Sequence, residues 1–185
     1  MPQHTALQLS ILSIIVPLIS IAVSIATSSW FSITENALSD LGHATRSPVA
    51  SIFNFGLSLG GLLVSIVSTL YFHRIHRVLS MGGFFVGYTL ILVAVFDEVY
   101  KGLHFAVSVA FFVSIAFMLS IYAYLYRSLL AVLALIVGLS SWIIHVVYRI
   151  PRGAAIPELI SIAVVIPFYL DLARKVSRLQ SSQIL

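Results

Sequence analysis

Acidic and basic side chains in this chain are concentrated in short stretches between long apolar segments. Five of the six carboxylates lie in three such stretches: Glu35, Asp40, Asp97, Glu98 and Glu158. The stretches are the first, third and fifth connections between apolar segments, and odd-numbered connections of a membrane bundle lie on one side of the bilayer. Polar groups gathered at one membrane face could form a polar cup that binds a headgroup or transfers protons.

The chemistry expected of this polar cup is proton transfer beside a bound polar group. His104 opens the fourth apolar segment, where it could exchange a proton with a carboxylate, and Asp40 or Glu158 could act as general base. Arg149 and Arg152 could hold a lipid phosphate through charge-assisted hydrogen bonds. The other candidate substrate-binding residues lie in or beside the same connections: Asn36, Asn54 and Asp97.

Several of these charges also have a structural interpretation. Glu98 could form a surface ion pair with Lys101, which would contribute little energy. Glu158 stands in the first turn of the last segment, where a carboxylate interacts favourably with the helix dipole. Asp97 lies at the edge of the hydrocarbon, where an ionisable group usually faces the protein interior and needs a partner.

Three histidines on different segments could bind zinc, with an open position for water. They are His43, His104 and His145, and the metal would lower the pKa of its bound water toward neutrality. The chain has no cysteine and no His-x-x-x-His pair, and its other three histidines lie on the opposite side. Zinc is therefore a candidate cofactor, and we favour a cup without metal.

The first connection, residues 28–49, is the long one. Wound as an α-helix, it would place its polar residues on one arc of about 100°: Asn36, Ser39, Asp40 and His43. A re-entrant or interfacial helix could turn that arc toward the bundle and turn Leu38 and Leu41 toward lipid. The alternative is a solvated loop in which Ser39 or Asp40 caps a turn.

Apolar segments of membrane-spanning length must position these groups. The chain of 185 residues is 60% hydrophobic and 9% charged, whereas roughly a quarter of the residues of a soluble domain are charged. A helix needs about 20 apolar residues to cross a hydrocarbon core of about 30 Å. We expect one all-α domain, a polytopic bundle of six transmembrane helices at residues 7–27, 50–72, 78–96, 103–126, 129–148 and 155–173. Gly56-x-x-x-Gly60 and Gly83-x-x-x-Gly87 predict close helix contacts.

The orientation and the partners follow from the charges. Six of the ten Lys and Arg residues lie on the side of the termini: Arg74, Arg77, Arg127, Arg174, Lys175 and Arg178. The positive-inside rule then places both termini in the cytoplasm and the polar cup outside the plasma membrane. The basic residues form no patch typical of nucleic-acid binding. We expect membrane lipids as partners, and the sequence does not decide the oligomeric state.

The stretch Asn36-Ala37-Leu38-Ser39-Asp40-Leu41-Gly42, with Asn54-Phe55-Gly56 after it, resembles a family of small archaeal and bacterial six-helix membrane proteins labelled as a domain of unknown function. Its pattern has Asn-x-x-Ser-Asp-Leu-Gly in the first loop, a His opening helix 4 and a Pro-Glu opening helix 6, here His104 and Pro157-Glu158. The resemblance implies that five residues matter together: Ser39, Asp40, Asn54, His104 and Glu158. It adds Ser39 to the candidate catalytic residues Asp40, His104 and Glu158. His43 and His145 lie outside the pattern, and no activity is implied.

The expected function is the binding or processing of a lipid in the polar cup. A more distant likeness to the membrane hydrolases that include alkaline ceramidases, which hold zinc on seven helices, makes hydrolysis a candidate reaction. One alternative is a structural or partner-binding protein whose polar residues fasten the helix ends together. A small-solute transporter is disfavoured, because the helix centres hold no ionisable group and the halves show no repeat.

Overall fold

The apolar segments fold as six α-helices in the computed structural model, which describes residues 5–182. The helices are α1 (Thr5–Ala26), α2 (Ala50–Leu70), α3 (Arg77–Val95), α4 (Gly102–Tyr126), α5 (Leu129–Tyr148) and α6 (Ala155–Ser182). Each is long and apolar enough to cross a membrane, and residues 5–182 contain no strand. The predicted all-α fold with six transmembrane helices is confirmed. We call the end of the bundle that holds residues 27–49, 96–101 and 149–154 the carboxylate end.

Helix α5 lies at the edge of the bundle. Helices α1 to α4 pack against one another in chain order, and α6 packs against both α1 and α4. Helix α5 packs on α4 and α6, and Ala131 is the single buried residue that the structure describes on it. Because α5 is packed so sparsely, space remains between α4, α5 and α6.

Glycines allow α2 to approach its two neighbours closely. A Cβ atom on Gly60 would lie 2.6 Å from the Pro17 Cγ of α1, and a Cβ on Gly61 would lie 2.5 Å from the Gly87 carbonyl oxygen of α3. The other motif glycines face serines of the adjacent helix: Gly56 faces Ser20, and Gly83 faces Ser68. Both glycine motifs therefore lie at helix contacts, where backbones meet with no room for a side chain.

The first connection packs its leucines into the protein. Leu41 is fully buried and Leu38 nearly so, in an apolar cluster with Phe53 and Leu57 of α2. Residues 38–42 form a 3₁₀ turn instead of an α-helix. The prediction that Leu38 and Leu41 face lipid is wrong, because both side chains are buried against the helices. The polar side chains beside them form hydrogen bonds within the turn.

Backbone hydrogen bonds join the first connection to the start of α6. The Gly153 N–H donates to the Thr34 carbonyl oxygen at 2.9 Å, and the Ala155 N–H donates to the Asn36 carbonyl oxygen at 3.0 Å. A Cβ atom on Gly153 would collide with the Asn36 backbone, so the close approach requires glycine here. The first connection is thus a closed cover over the carboxylate end.

Candidate functional site

A cavity of about 660 Å³ lies between α4, α5 and α6, and we call it the α4–α5–α6 cavity. Ionisable residues line it at the carboxylate end, together with a serine of the first connection: Ser39, Glu98, Lys101, His104, His145, Arg149 and Glu158. Three of the four residues predicted to be catalytic therefore share one cavity. The structure places them there without assigning them a role.

The rest of the cavity is an apolar cleft that opens sideways. Its lining residues on α4 run from His104 to Leu119, about 22 Å at a rise of about 1.5 Å per residue. Phe105, Val109 and Val113 follow one another at four-residue spacing, line the cavity and are exposed. They form the edge of an opening that faces the surrounding membrane. The cavity therefore joins a polar end to an apolar cleft.

His104 is held through one ring nitrogen, and the other ring nitrogen contacts side chains that line the cavity. The side chain is buried, and its Nδ1 lies 2.7 Å from the Phe96 carbonyl oxygen. A carbonyl oxygen can only accept, so Nδ1 carries the hydrogen, and the neutral ring has a lone pair on Nε2. Nε2 lies 3.3 Å from the Ser108 Oγ and 3.4 Å from the Glu98 Oε1. His104 can therefore accept a proton at Nε2 and, once charged, pair with Glu98.

Glu98 is the residue that joins the first connection to His104. Its Oε1 accepts a hydrogen bond of 2.7 Å from the Ser39 Oγ, and it forms no ion pair with Lys101 among the described residues. Lys101 ends the 3₁₀ turn Glu98–Tyr100 with φ 49° and ψ −107°, a conformation that favours glycine. This strained residue reverses the direction of the chain between Glu98 and α4, and the reversal brings Glu98 next to His104.

Sequence reasoning missed Glu98, which it assigned to a surface ion pair. The only available signal was the spacing: Glu98 and His104 flank a connection too short for anything but a tight reversal. The adjacent Asp97 was chosen as the site residue instead, because it directly follows the apolar segment.

Glu158 is buried at the start of α6 and lines the same cavity. Its exposure is 8%, and its Oε2 accepts a hydrogen bond of 2.7 Å from the Leu38 N–H. Its other oxygen, Oε1, has no hydrogen-bond partner within residues 5–182. Adjacent residues of the first connection, Leu38 and Ser39, thus hold the two carboxylates Glu158 and Glu98.

Asp40 and Asn36 stabilise the first connection from outside the cavity. Asp40 Oδ2 accepts hydrogen bonds from the Ala37 N–H at 2.9 Å and from the Asn36 Nδ2 at 3.1 Å. Asn36 Oδ1 accepts from the Ser32 N–H at 2.9 Å. Neither Asp40 nor Asn36 lines the α4–α5–α6 cavity. The structure brings His104 and Glu158 to one cavity, with Asp40 on the turn beside it.

Asp97 and Asn54 tie the same connection to the helices. The buried Asp97 accepts from the Ala44 N–H at 3.1 Å through Oδ2 and from the Val99 N–H at 2.9 Å through Oδ1. Asn54 Nδ2 donates to the Gly42 carbonyl oxygen at 2.8 Å. Both side chains therefore have their hydrogen-bond partners within the protein.

The two predicted phosphate-binding arginines are separated. Arg149 lines the cavity at the end of α5 and has an exposed side chain. Arg152 lies outside the cavity lining, and its Nη1 is 3.5 Å from the Glu35 Oε2, in a pair whose side chains are 82% and 53% exposed. Of the two, Arg149 alone is placed to meet a molecule in the cavity.

The three histidines considered for zinc make separate contacts. His43 Nδ1 lies 3.4 Å from the Thr45 Oγ1, and His145 Nδ1 lies 2.9 Å from the Pro151 carbonyl oxygen. Within residues 5–182, no three His, Asp or Glu side chains are grouped so that they could hold a metal ion. Zinc binding by His43, His104 and His145 stays a prediction.

A second cavity of about 130 Å³ extends from the same polar end into the bundle. Ser39, Ser108 and Glu158 line both cavities. The second cavity reaches Tyr169 of α6, whose hydroxyl lies 3.1 Å from the Ser13 Oγ of α1. Glu158 thus stands where the two cavities meet.

Comparison with known proteins yields a family and no activity. The model of a family described as a protein of unknown function, DUF998, matches residues 11–174. No curated protein and no solved structure matches the chain. The resemblance to a family of unknown function is confirmed, and the first-loop motif and the archaeal and bacterial range stay predictions.

Proposed function

The chain belongs to this DUF998 family, and on that premise we propose that it is an integral membrane protein that binds a membrane lipid in the α4–α5–α6 cavity. The observation that supports the proposal is the form of this cavity, which combines a charged end with an apolar cleft open to the side. A lipid is the class of molecule with the same division, a polar group joined to a hydrocarbon chain.

The polar group of the lipid would lie among Glu98, His104 and Glu158. These side chains come from three separate elements and meet at the cavity. Lys101 and Arg149 are exposed at its outer edge, where a phosphate would find positive charge. The hydrocarbon chain would lie along the cleft. There it would supply the van der Waals contacts that the sparsely packed α5 leaves unmade.

The same proposal includes an orientation and a location. The excess of Lys and Arg at the end of the termini supports a cytoplasmic position for both termini in the plasma membrane. The carboxylate end then lies at the outer leaflet, and the bound lipid would enter sideways from that leaflet past Phe105 and Val109.

Filling the cleft should remove the lipid without disturbing the polar end. Ala116 lines the cavity on α4, and Ala116→Phe is expected to lower the amount of co-purified lipid at least about tenfold, which is about 1.4 kcal/mol of binding free energy. Native mass spectrometry of protein purified in mild detergent measures the lipid bound per chain. Ala110→Phe is the matched control, because Ala110 is exposed on the same helix and does not line the cavity. Equal lipid retention by the two variants would contradict the proposal.

A second candidate function, hydrolysis of an ester-linked lipid, is supported by the pair formed by His104 and Ser108. The Phe96 carbonyl oxygen accepts the hydrogen of His104 Nδ1, which leaves the lone pair of the neutral ring on Nε2. The Ser108 hydroxyl lies 3.3 Å from that Nε2. Ser108 Oγ would attack the ester carbonyl while its proton passes to His104 and then to the leaving alcohol, and water would release the acyl group from the serine. Glu98 would stabilise the charged histidine.

A fluorophosphonate probe tests this second function directly. We expect covalent labelling at Ser108, found by peptide mass spectrometry, and loss of the label in Ser108→Ala. Ser120→Ala is the control, because Ser120 is exposed on the same helix and bonds the Ala116 carbonyl oxygen. If the probe leaves Ser108 unmodified while lipid still co-purifies, the protein binds lipid without hydrolysing it.

A further inference from the structure

The polar end of the α4–α5–α6 cavity presents hydrogen-bond acceptors to whatever occupies it. Glu158 lines the cavity, its Oε1 has no hydrogen-bond partner among the described residues, and Glu98 accepts from Ser39 through one oxygen only. The Ser108 hydroxyl donates to Nε2 of the neutral His104, so the Ser108 oxygen is a further acceptor at the cavity. From this arrangement, and resting on the proposed lipid binding, we propose that the bound lipid carries a primary ammonium group between Glu98 and Glu158.

The number of acceptors fits this group. A primary ammonium has three N–H donors, and the cavity offers an oxygen of Glu158, an oxygen of Glu98 and the hydroxyl oxygen of Ser108. The carboxylates are held in place by the first connection, because the Leu38 N–H bonds Glu158 and the Ser39 hydroxyl bonds Glu98. A preorganised pair of acceptors is more selective than flexible side chains, because little order is lost on binding.

The charge of the site points the same way. With His104 neutral, the ion pairs within residues 5–182 are Arg152 with Glu35 and Lys175 with Asp171, so neither Glu98 nor Glu158 has a cationic partner. An ionised carboxylate buried at membrane depth is costly without one. A ligand ammonium would supply the missing charge, whereas a phosphate at the same position would add a third anion beside two carboxylates.

The cationic side chains do not neutralise the carboxylates from within. Lys101 and Arg149 line the cavity but are exposed, and neither forms an ion pair with Glu98 or Glu158 in the described residues. The polar end is thus acidic inside and basic at its rim. A lipid whose ammonium lies inside, with any anionic group at the rim, matches both zones.

Trp142 provides a reporter inside the cavity. It lines the apolar cleft, and its indole N–H donates to the Ser161 Oγ at 2.9 Å. The chain has one other tryptophan, Trp30, in the first connection. In a Trp30→Phe background, quenching of Trp142 fluorescence by a hexadecyl chain brominated near its middle measures occupancy of the cavity.

The experiment compares four brominated amphiphiles with the same chain in phosphatidylcholine nanodiscs: the amine, the alcohol, the phosphate and the trimethylammonium. We expect the amine to reach half-maximal quenching at a concentration at least about tenfold below the other three, because only it combines positive charge with N–H donors. Glu158→Gln keeps an acceptor for the Leu38 N–H and removes the charge, so it should abolish this preference. Glu35→Gln, which removes an exposed carboxylate outside the cavity, should leave the preference intact.

Each outcome decides between the two proposals. Equal quenching by all four amphiphiles, or a preference for the phosphate, overturns the ammonium site and leaves lipid binding standing. No quenching by any of them overturns both. An amine preference that survives Glu158→Gln overturns the assignment to this carboxylate, and Glu98→Gln provides the same comparison if the first variant does not fold.

Discussion

Gly87→Ala is expected to destabilise the protein by about 3 kcal/mol, because there is no room for a methyl group between α3 and α2. A Cβ atom on Gly87 would collide with the Gly61 carbonyl oxygen and lie 2.7 Å from the Ser65 backbone nitrogen. Both are backbone atoms, which cannot rotate away, so the two helices would have to separate. Thermal unfolding in detergent, followed by circular dichroism, measures the loss.

Gly138→Ala is the matched control and should shift stability in the opposite direction. A Cβ atom there would meet only the Val164 Cγ2, at 3.8 Å, which is an ordinary contact. Alanine favours a helix over glycine by about 1 kcal/mol, so this variant should melt at a higher temperature than the unmodified protein. If both glycine variants lowered the melting temperature equally, the close contact of α2 and α3 would be wrong.

Asp97→Ala should cost about 3 kcal/mol and release the first connection. The buried carboxylate accepts one hydrogen bond from the Ala44 N–H in the first connection and another from the Val99 N–H in the turn before α4. Hydrogen bonds to a charged group contribute roughly 1.5 to 3 kcal/mol each, and both would be lost. We expect a lower melting temperature and faster proteolysis within residues 28–49.

Glu35→Ala is the control for this substitution. Glu35 lies on the same connection, but its ion pair with Arg152 is long and exposed. Such pairs contribute about 0 to 1 kcal/mol, so melting temperature and proteolysis should stay close to those of the unmodified protein. Equal effects of the two substitutions would show that the hydrogen bonds of the buried Asp97 do not hold the first connection in place.

The helices could be predicted from the sequence because hydrocarbon thickness leaves few alternatives. Apolar runs of membrane-spanning length, separated by short charged connections, define where α1 to α6 lie. The same pattern correctly placed most carboxylates at one end. His104 and Glu158 were predicted as site residues because each is an ionisable group in the first turn of an apolar helix.

The partners of these groups could not be predicted. Whether Asp40 or Glu98 reaches His104 depends on the direction in which two short 3₁₀ turns point, and sequence spacing does not specify that direction. The prediction that Leu38 and Leu41 face lipid assumed an α-helical period in the first connection. The residues form a 3₁₀ turn instead, and the face that carries both leucines is buried. In a tight turn the period is close to three residues, and tertiary burial decides which face is inside.

The cavity itself could not be predicted from the sequence. Apart from His145, the residues of α5 that line the cleft are as apolar as those that face lipid, since hydrocarbon surrounds them in either case. A soluble protein would mark such a cleft by a change in polarity along the helix. In a membrane that contrast disappears, and the space between α4, α5 and α6 becomes visible only in three dimensions.

The contacts of the first connection also imply an order of biogenesis. Thr34, Asn36 and Leu38 bond to Gly153, Ala155 and Glu158, which the ribosome adds more than a hundred residues later. Until then the connection lacks these partners, and only its contacts with the earlier part of the chain, such as Ala44 with Asp97 and Ser39 with Glu98, can form. The nascent chain would thus insert five helices around an uncovered end, and completion of the sixth would seal it.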